Sequence, residues 1–388
     1  MKMLWAGAGI VALAAGGTAL SQARSGGTTV YWMSADTSSG LAAMAGGGGG
    51  RSSHVRTLTL QLGSPRRATG APQADHLPPA GLQAGPSLPL LTPQAAAPRT
   101  PASAQPWGQM ERPKGRMLIY WGCGEQARQG QPVVIDFASM AAGKVPPALA
   151  NSPLKPMLPP SAATSATYGE WPNQRSQARI PAGGSLIGEH EVRGNYSPEI
   201  RFAVGAGQDF LAPVTLSSSS IGASGSIPLV WRPVPGARAW FGSVMGSAQN
   251  GDMIIWTSSE TAVPMLAADY IAESDFARLV QSRVLMPATA DRCTVPAQVV
   301  RAAPQSMMIL TAFGGESNFS QPRPAGAART WRPEWTVKLR TKSTHMGMLG
   351  MDIPGMGQED DEDGAAQSER PASKKEKLRR GLGRILGQ

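Results

Sequence analysis

Apolar and polar positions alternate along much of this chain. Leu58, Leu60 and Leu62 are separated by Thr59 and Gln61, and Thr57 precedes them. A two-residue period turns one side of the chain to a core and the other to water, as in a half-buried β-strand. The period returns at Ile200, Phe202 and Val204, and at Ile227, Leu229 and Trp231. Met117–Trp121, Val133–Phe137, Met253–Trp256 and Ser306–Thr311 are short, largely apolar runs, the pattern of more fully buried strands. Val337 and Leu339 alternate with Lys338, Arg340 and Lys342, which predicts a strand with one charged, solvated face. Thr28–Met33 is a further short candidate. A single stretch has the helical period: Phe276, Leu279, Val280 and Val284 fall on one face, with Ser274 placed to cap the helix and Pro287 to close it.

The expected fold is therefore mainly β: antiparallel sandwich-like units, one or two short helices, long Pro/Gly-rich loops and disordered termini. Composition agrees. The 388 residues include 46 glycines and 34 prolines, which excludes a compact all-helical protein. Eleven prolines fall between Pro65 and Pro113, so that stretch makes neither helix nor central strand. Its Leu82, Leu88, Leu90 and Leu91 predict that parts of it are pinned to a surface. A second Pro-rich stretch runs from Pro146 to Pro172. Five units are expected: a signal peptide over 1–23, a flexible Gly/Ser-rich segment over 24–53, a hairpin-containing unit over 54–180, a sandwich-like domain over 181–345 with a helix near 275–285, and a flexible tail over 346–388.

Met1-Lys2, the apolar run Met3–Leu20 and Ser21-Gln22-Ala23 form the three-part pattern of a secretory signal. Cleavage near Ala23 and a periplasmic or secreted location follow as expectations. In an oxidising compartment the only two cysteines, Cys123 and Cys293, are candidates for a disulfide. In residues 227–240, Trp231 ends a strand, Pro235-Gly236 turns and Trp240 opens the next strand. This stretch resembles part of a fibronectin type III or related immunoglobulin-like domain. The resemblance implies a sandwich there and nothing about chemistry. The overall texture resembles exported envelope proteins of Gram-negative bacteria.

Candidate chemistry is sparse. Gly122-Cys123-Gly124-Glu125-Gln126-Ala127 fits a nucleotide-binding fingerprint. Gly122 to Pro132 is too short for a crossover helix, so an antiparallel hairpin is expected instead. Two cysteines exclude a four-thiolate zinc site, and no G-x-S-x-G elbow is present. Glu189-His190-Glu191 lacks a second histidine, and His190 reads as structural. His345, Met346, Met348, Met351 and Met356 form a soft-ligand strip suited to Cu(I), the one cofactor the sequence suggests. Trp107, Trp171 and Trp331 lie near proline and are candidates for exposed rings that stack on glycan, whereas Trp121, Trp231, Trp240 and Trp256 lie in or beside strand patterns.

The tail runs from acidic Glu359–Asp363 to a basic amphipathic segment. Lys374, Lys375, Lys377, Arg379, Arg380 and Arg384 supply its charge, and Leu378, Leu382, Ile385 and Leu386 its apolar face. An anionic membrane surface or a protein partner is the expected contact. The net charge of +10 is spread over the body without the clustered stripe that nucleic acid requires. The function expected is a non-catalytic binding or structural role in the envelope. Glycan or peptidoglycan binding, Cu(I) binding, and an enzyme site assembled from distant residues are the alternatives.

Overall fold

The computed structural model describes residues 27–45, 53–93, 115–141, 157–263 and 269–350. The chain there is mainly β, with several antiparallel sheets and a few short helices. Its framework is a ten-stranded sheet. From one edge it runs β6 (Val133–Asp136), β5 (Arg116–Trp121), β13 (Met253–Thr257), β12 (Ala237–Ser247), β16 (Met307–Ser320), β17 (Trp335–Met348), β1 (Thr29–Gly40), β2 (His54–Ser64) and β7 (Thr167–Trp171). β14 (Met286–Pro287) pairs with β12 off this path. Neighbours are antiparallel except β1 with β17 and β13 with β5. The segment 122–132 is a hairpin, because β5 and β6 pair antiparallel on either side of it.

Two smaller sheets cover one face. β4 (Leu88–Pro89), β3 (Ala74–Leu77), β8 (Gly188–Gly194) and β9 (Ile200–Val204) form the first. Their Leu88, Val192, Ile200 and Phe202 share a core with Tyr31, Met33, Leu60, Leu62, Val337 and Leu339. β10 (Leu216–Ser218), β11 (Ile227–Trp231) and β15 (Arg292–Val295) form the second. Here Leu229, Trp231 and Val295 pack with Trp240, Trp256 and Leu310, joined by Val299 of the helix Ala297–Ala302. On the opposite face, Phe276 and Leu279 of the helix Phe276–Gln281 meet Ala239, Phe241 and Phe313. Ser274 does not cap that helix. It lies in the 3-10 turn Glu273–Asp275, and neither N-cap residue, Ala272 or Asp275, makes a side-chain capping hydrogen bond among the described residues.

Three expectations are corrected. The segment 24–53 contains a twelve-residue strand, β1, in the interior of the sheet. Its small polar residues have a use there: Thr37 and Ser39 donate their hydroxyl hydrogens to the carbonyls of Leu211 and Val214, each at 2.7 Å. Two carbonyls of the segment that passes from one small core to the other are thus satisfied. The division at 180/181 does not separate two bodies of structure. β2, β5 and β7 hydrogen-bond into the same sheet as β12, β13, β16 and β17. The charged face of β17 is not simply solvated, since Arg340 is only 8% exposed. In the Pro-rich stretch, Leu82, Leu88 and Leu90 are buried in the first core. The leader 1–23, the glycine run 46–50 and the tail from 351 onward lie outside the described residues.

Candidate functional site

β7 pairs with β2 only along Leu60–Ser64. Toward its start, β2 has on that side, among the described residues, one isolated backbone bridge, Arg56 to Ile180. The chain leaving β7 at Trp171 loops through 172–182, and a cleft of about 640 Å³ lies between loop and strand. That volume is in the range of small-molecule sites. Val55, Leu58, Trp171, Pro172, Ile180 and Pro181 give it apolar walls, while Arg56, Asn173, Gln177 and Arg179 bring polar groups. No Asp or Glu is among its described lining residues.

The cleft is held by side chains that serve the backbone. Asn173 Nδ2 donates to the carbonyls of Pro89 at 2.6 Å and Glu170 at 2.8 Å, and its Oδ1 accepts from the amides of Arg175 and Ser176. This ties the loop to both β4 and β7. Trp171 Nε1 donates to Ser176 Oγ at 2.8 Å. Arg56 Nη1 donates to Gly184 O at 2.6 Å, with the guanidinium 5.3 Å from the centre of the Phe210 ring. Its Nε is buried and has no acceptor among the described residues.

Behind this region runs a buried polar chain. Tyr31 Oη lies 2.9 Å from His76 Nδ1, His76 Nε2 lies 3.1 Å from His190 Nδ1, and His190 Nε2 lies 2.6 Å from Leu186 O. A carbonyl only accepts, so the hydrogen on His190 is at Nε2 and its Nδ1 accepts from His76. His76 Nδ1 then accepts from the Tyr31 hydroxyl. Every donor points the same way and both imidazoles are neutral. Burial pushes His76 well below the usual histidine range, with His190 adding to the effect. Burial also lowers His190, against the opposing pull of Leu186 O and Asp209. His190 is thus a structural residue stacked on Phe202 at 5.0 Å.

A second polar group occupies the opposite face of the large sheet. The Arg340 guanidinium sits 4.0 Å from the Tyr270 ring centre and 4.8 Å from that of Trp32, and its Nε donates to Ser34 Oγ at 2.8 Å. Lys338 pairs with Glu316, and Lys342 stands 4.0 Å from Asp36 and 3.8 Å from Asp269. The Tyr270 hydroxyl donates to Asp36. Burial raises the Asp36 carboxyl, with Lys342 opposing it. The cations are interleaved with rings and matched by carboxylates, which accounts for the burial of Arg340.

The residues singled out from sequence are distributed as follows. Cys123 and Cys293 form a disulfide that links the β5–β6 loop to β15. Trp171 was expected to be exposed beside Pro172 but is 1% exposed, so its ring face cannot take a sugar. Its place on β7, packed in the first core, is the reason. Trp331 is partly exposed and Trp107 lies outside the described residues. His345 faces away from Met346 and Met348, because successive strand residues point to opposite faces. Ser39 gives its hydrogen to Val214 O, so His345 Nδ1 donates to Ser39 Oγ at 3.0 Å. Burial lowers the His345 imidazole. Met351, Met356 and the basic segment 374–386 lie outside the described residues.

Sequence reasoning missed Arg56, Tyr31, His76 and Tyr270, none of which carries a local signal beyond its residue type. No known protein family matches the chain, and neither does any curated protein or solved structure.

Proposed function

We propose that this protein is exported to the cell envelope or secreted, and acts there as a non-catalytic binding protein whose ligand occupies the β2–β7 cleft. The ligand is an amphipathic anion: an apolar body with a carboxylate or phosphate edge. The lining of the cleft carries this reading, with apolar walls, Arg56 and Arg179 at its edge and no described carboxylate. Apolar surface contributes affinity, and guanidinium groups in the lining select the sign of the polar edge. The buried histidines and Ser39 support a non-catalytic role. His76, His190 and Ser39 are committed to internal hydrogen bonds in fixed directions. Export is supported by the three-part start of the chain and by the pairing of its only two cysteines.

Titration with a fluorescent long-chain carboxylate tests the cleft. Saturable binding at a single site is expected. Ala178 is exposed and lines the cleft, so Ala178→Trp should block entry without disturbing the core, and Arg179→Glu should weaken the anion more than a neutral analogue. Unchanged affinity in Ala178→Trp would show that the site is elsewhere. Fractionation of cells with N-terminal sequencing of the mature chain tests export, and an intact Met1 in the cytosol would end that part of the reading.

A further inference from the structure

Strand register places methionines side by side on the face of the large sheet away from the two smaller sheets. Met348 of β17 stands opposite Met307 of β16, and Met307 stands opposite Met245 of β12. Met346 shares the face with Met348, two residues away on the same strand, and is opposite Ile309. Side chains directly opposite in an antiparallel pair have Cβ atoms about 4.5–5.5 Å apart. The three thioethers in the row therefore span two strand spacings, about 9.5 Å, with Met307 in the middle. Three rotatable bonds let each sulfur swing toward its neighbours.

These side chains do not behave as core. Their chain neighbours Val244, before Met245, and Met308, after Met307, are turned inward and are 1% exposed. Met245 is 42% exposed, and Met307, Met346 and Met348 are partly exposed. Strands prefer β-branched and aromatic residues, so methionine at four adjoining outward positions calls for a reason other than strand formation. His345 is on the other face with Nδ1 held by Ser39, so no imidazole joins the row.

We propose that Met245, Met307, Met346 and Met348 form a soft-metal site that takes Cu(I). A thioether is a neutral, polarisable donor that prefers a soft monovalent ion to hard divalent ones. The site is independent of the cleft, and only its sheet framework is shared. The strip expected from sequence over 345–356 is thereby redrawn. His345 leaves it, and Met307 and Met245 enter from strands distant in the chain.

Anaerobic titration of the full chain with Cu(I), in competition with bicinchoninate, tests the proposal. Ag(I) followed by calorimetry serves as a redox-inert second probe. The wild type is expected to take a single equivalent of either ion. Met307→Leu keeps the volume of the side chain and removes the sulfur. It should weaken binding at least as much as loss of an outer-shell partner does, about tenfold, at an unchanged melting temperature. Met245→Leu, at the most exposed position, gives the same reading should Met307→Leu fail to fold. Met351→Leu with Met356→Leu should leave affinity within about twofold, since neither belongs to the row. The proposal is overturned if the wild type takes no Cu(I) from the chelator. It is equally overturned if Met245→Leu/Met307→Leu/Met348→Leu binds like the wild type, or if the 351/356 variant loses the ion.

Discussion

Acidification should destabilise this protein through the His76–His190 pair. In the folded chain both rings are neutral, because His190 Nδ1 must accept from His76 Nε2 while its own Nε2 donates to Leu186 O. A proton added to His190 Nδ1 would set two donors facing each other in a buried site, and one added to His76 Nδ1 would force the Tyr31 hydroxyl to turn from donor to acceptor. Burial lowers both histidines in the fold, whereas in the unfolded chain each titrates near 6.5. Below that pH the unfolded state binds more protons, so stability falls as pH falls. The loss begins near the unfolded value and continues down to the folded one. For one ring that stays neutral, going from pH 7.5 to 5 costs about 2 kcal/mol, at 1.36 kcal/mol per unit below 6.5. His190 adds to this in the same direction.

The groups around the pair do not reverse the sign. Tyr31 is raised by burial and stays neutral, Tyr196 is likewise raised, and Asp209 only moderates His190. Urea unfolding at several pH values between 7.5 and 5 measures the slope. His76→Gln keeps an acceptor and a donor in the chain but removes a titrating ring, so its stability should fall less steeply with acid. His345 is lowered too and adds a background slope, which this comparison cancels. A wild-type midpoint that does not move between pH 7.5 and 5, or a His76→Gln slope as steep as the wild type, would refute the neutral, directed chain.

Two further outcomes follow from burial and connectivity. Cys123 and Cys293 are 170 residues apart, so replacing both by serine should cost about 5 kcal/mol by loop-closure entropy, read as a lower urea midpoint. A thiol assay of the denatured, unreduced chain should find no free sulfhydryl. Trp171→Ala should cost about 3–5 kcal/mol, as for a buried aromatic, whereas Trp331→Ala at a partly exposed position should cost far less. Equal losses in thermal unfolding would count against the placement of Trp171 in the first core.

Much of the strand content was legible locally. Leu58, Leu60 and Leu62 are buried as their alternation predicts, and so are Ile200, Phe202 and Val204. β1 was only partly legible. Its inward positions change from Tyr31, Met33 and Ala35 to Thr37 and Ser39, so the apolar period stops before the strand does. Those hydroxyls answer carbonyls 174 and 175 residues away, which no local window contains. The candidate sites were less legible still. His76 and His190 lie 114 residues apart, and Trp171 beside Pro172 looked like loop while belonging to a buried strand end.

Which segments extend, where the 122–132 hairpin must turn and which side chains seek a core are all written in the local order of residues. Burial of alternate residues leaves a period in the chain, and a short Gly-rich connection has no room for a crossover helix. Which strands become neighbours is settled by the folded sheet. Backbone hydrogen bonds form a ladder with any residue type but proline, so the choice of partner strand leaves no residue signature. Arg56 facing a cleft, two imidazoles in series and methionines in line across three strands are consequences of register, set by the packing of the whole sheet.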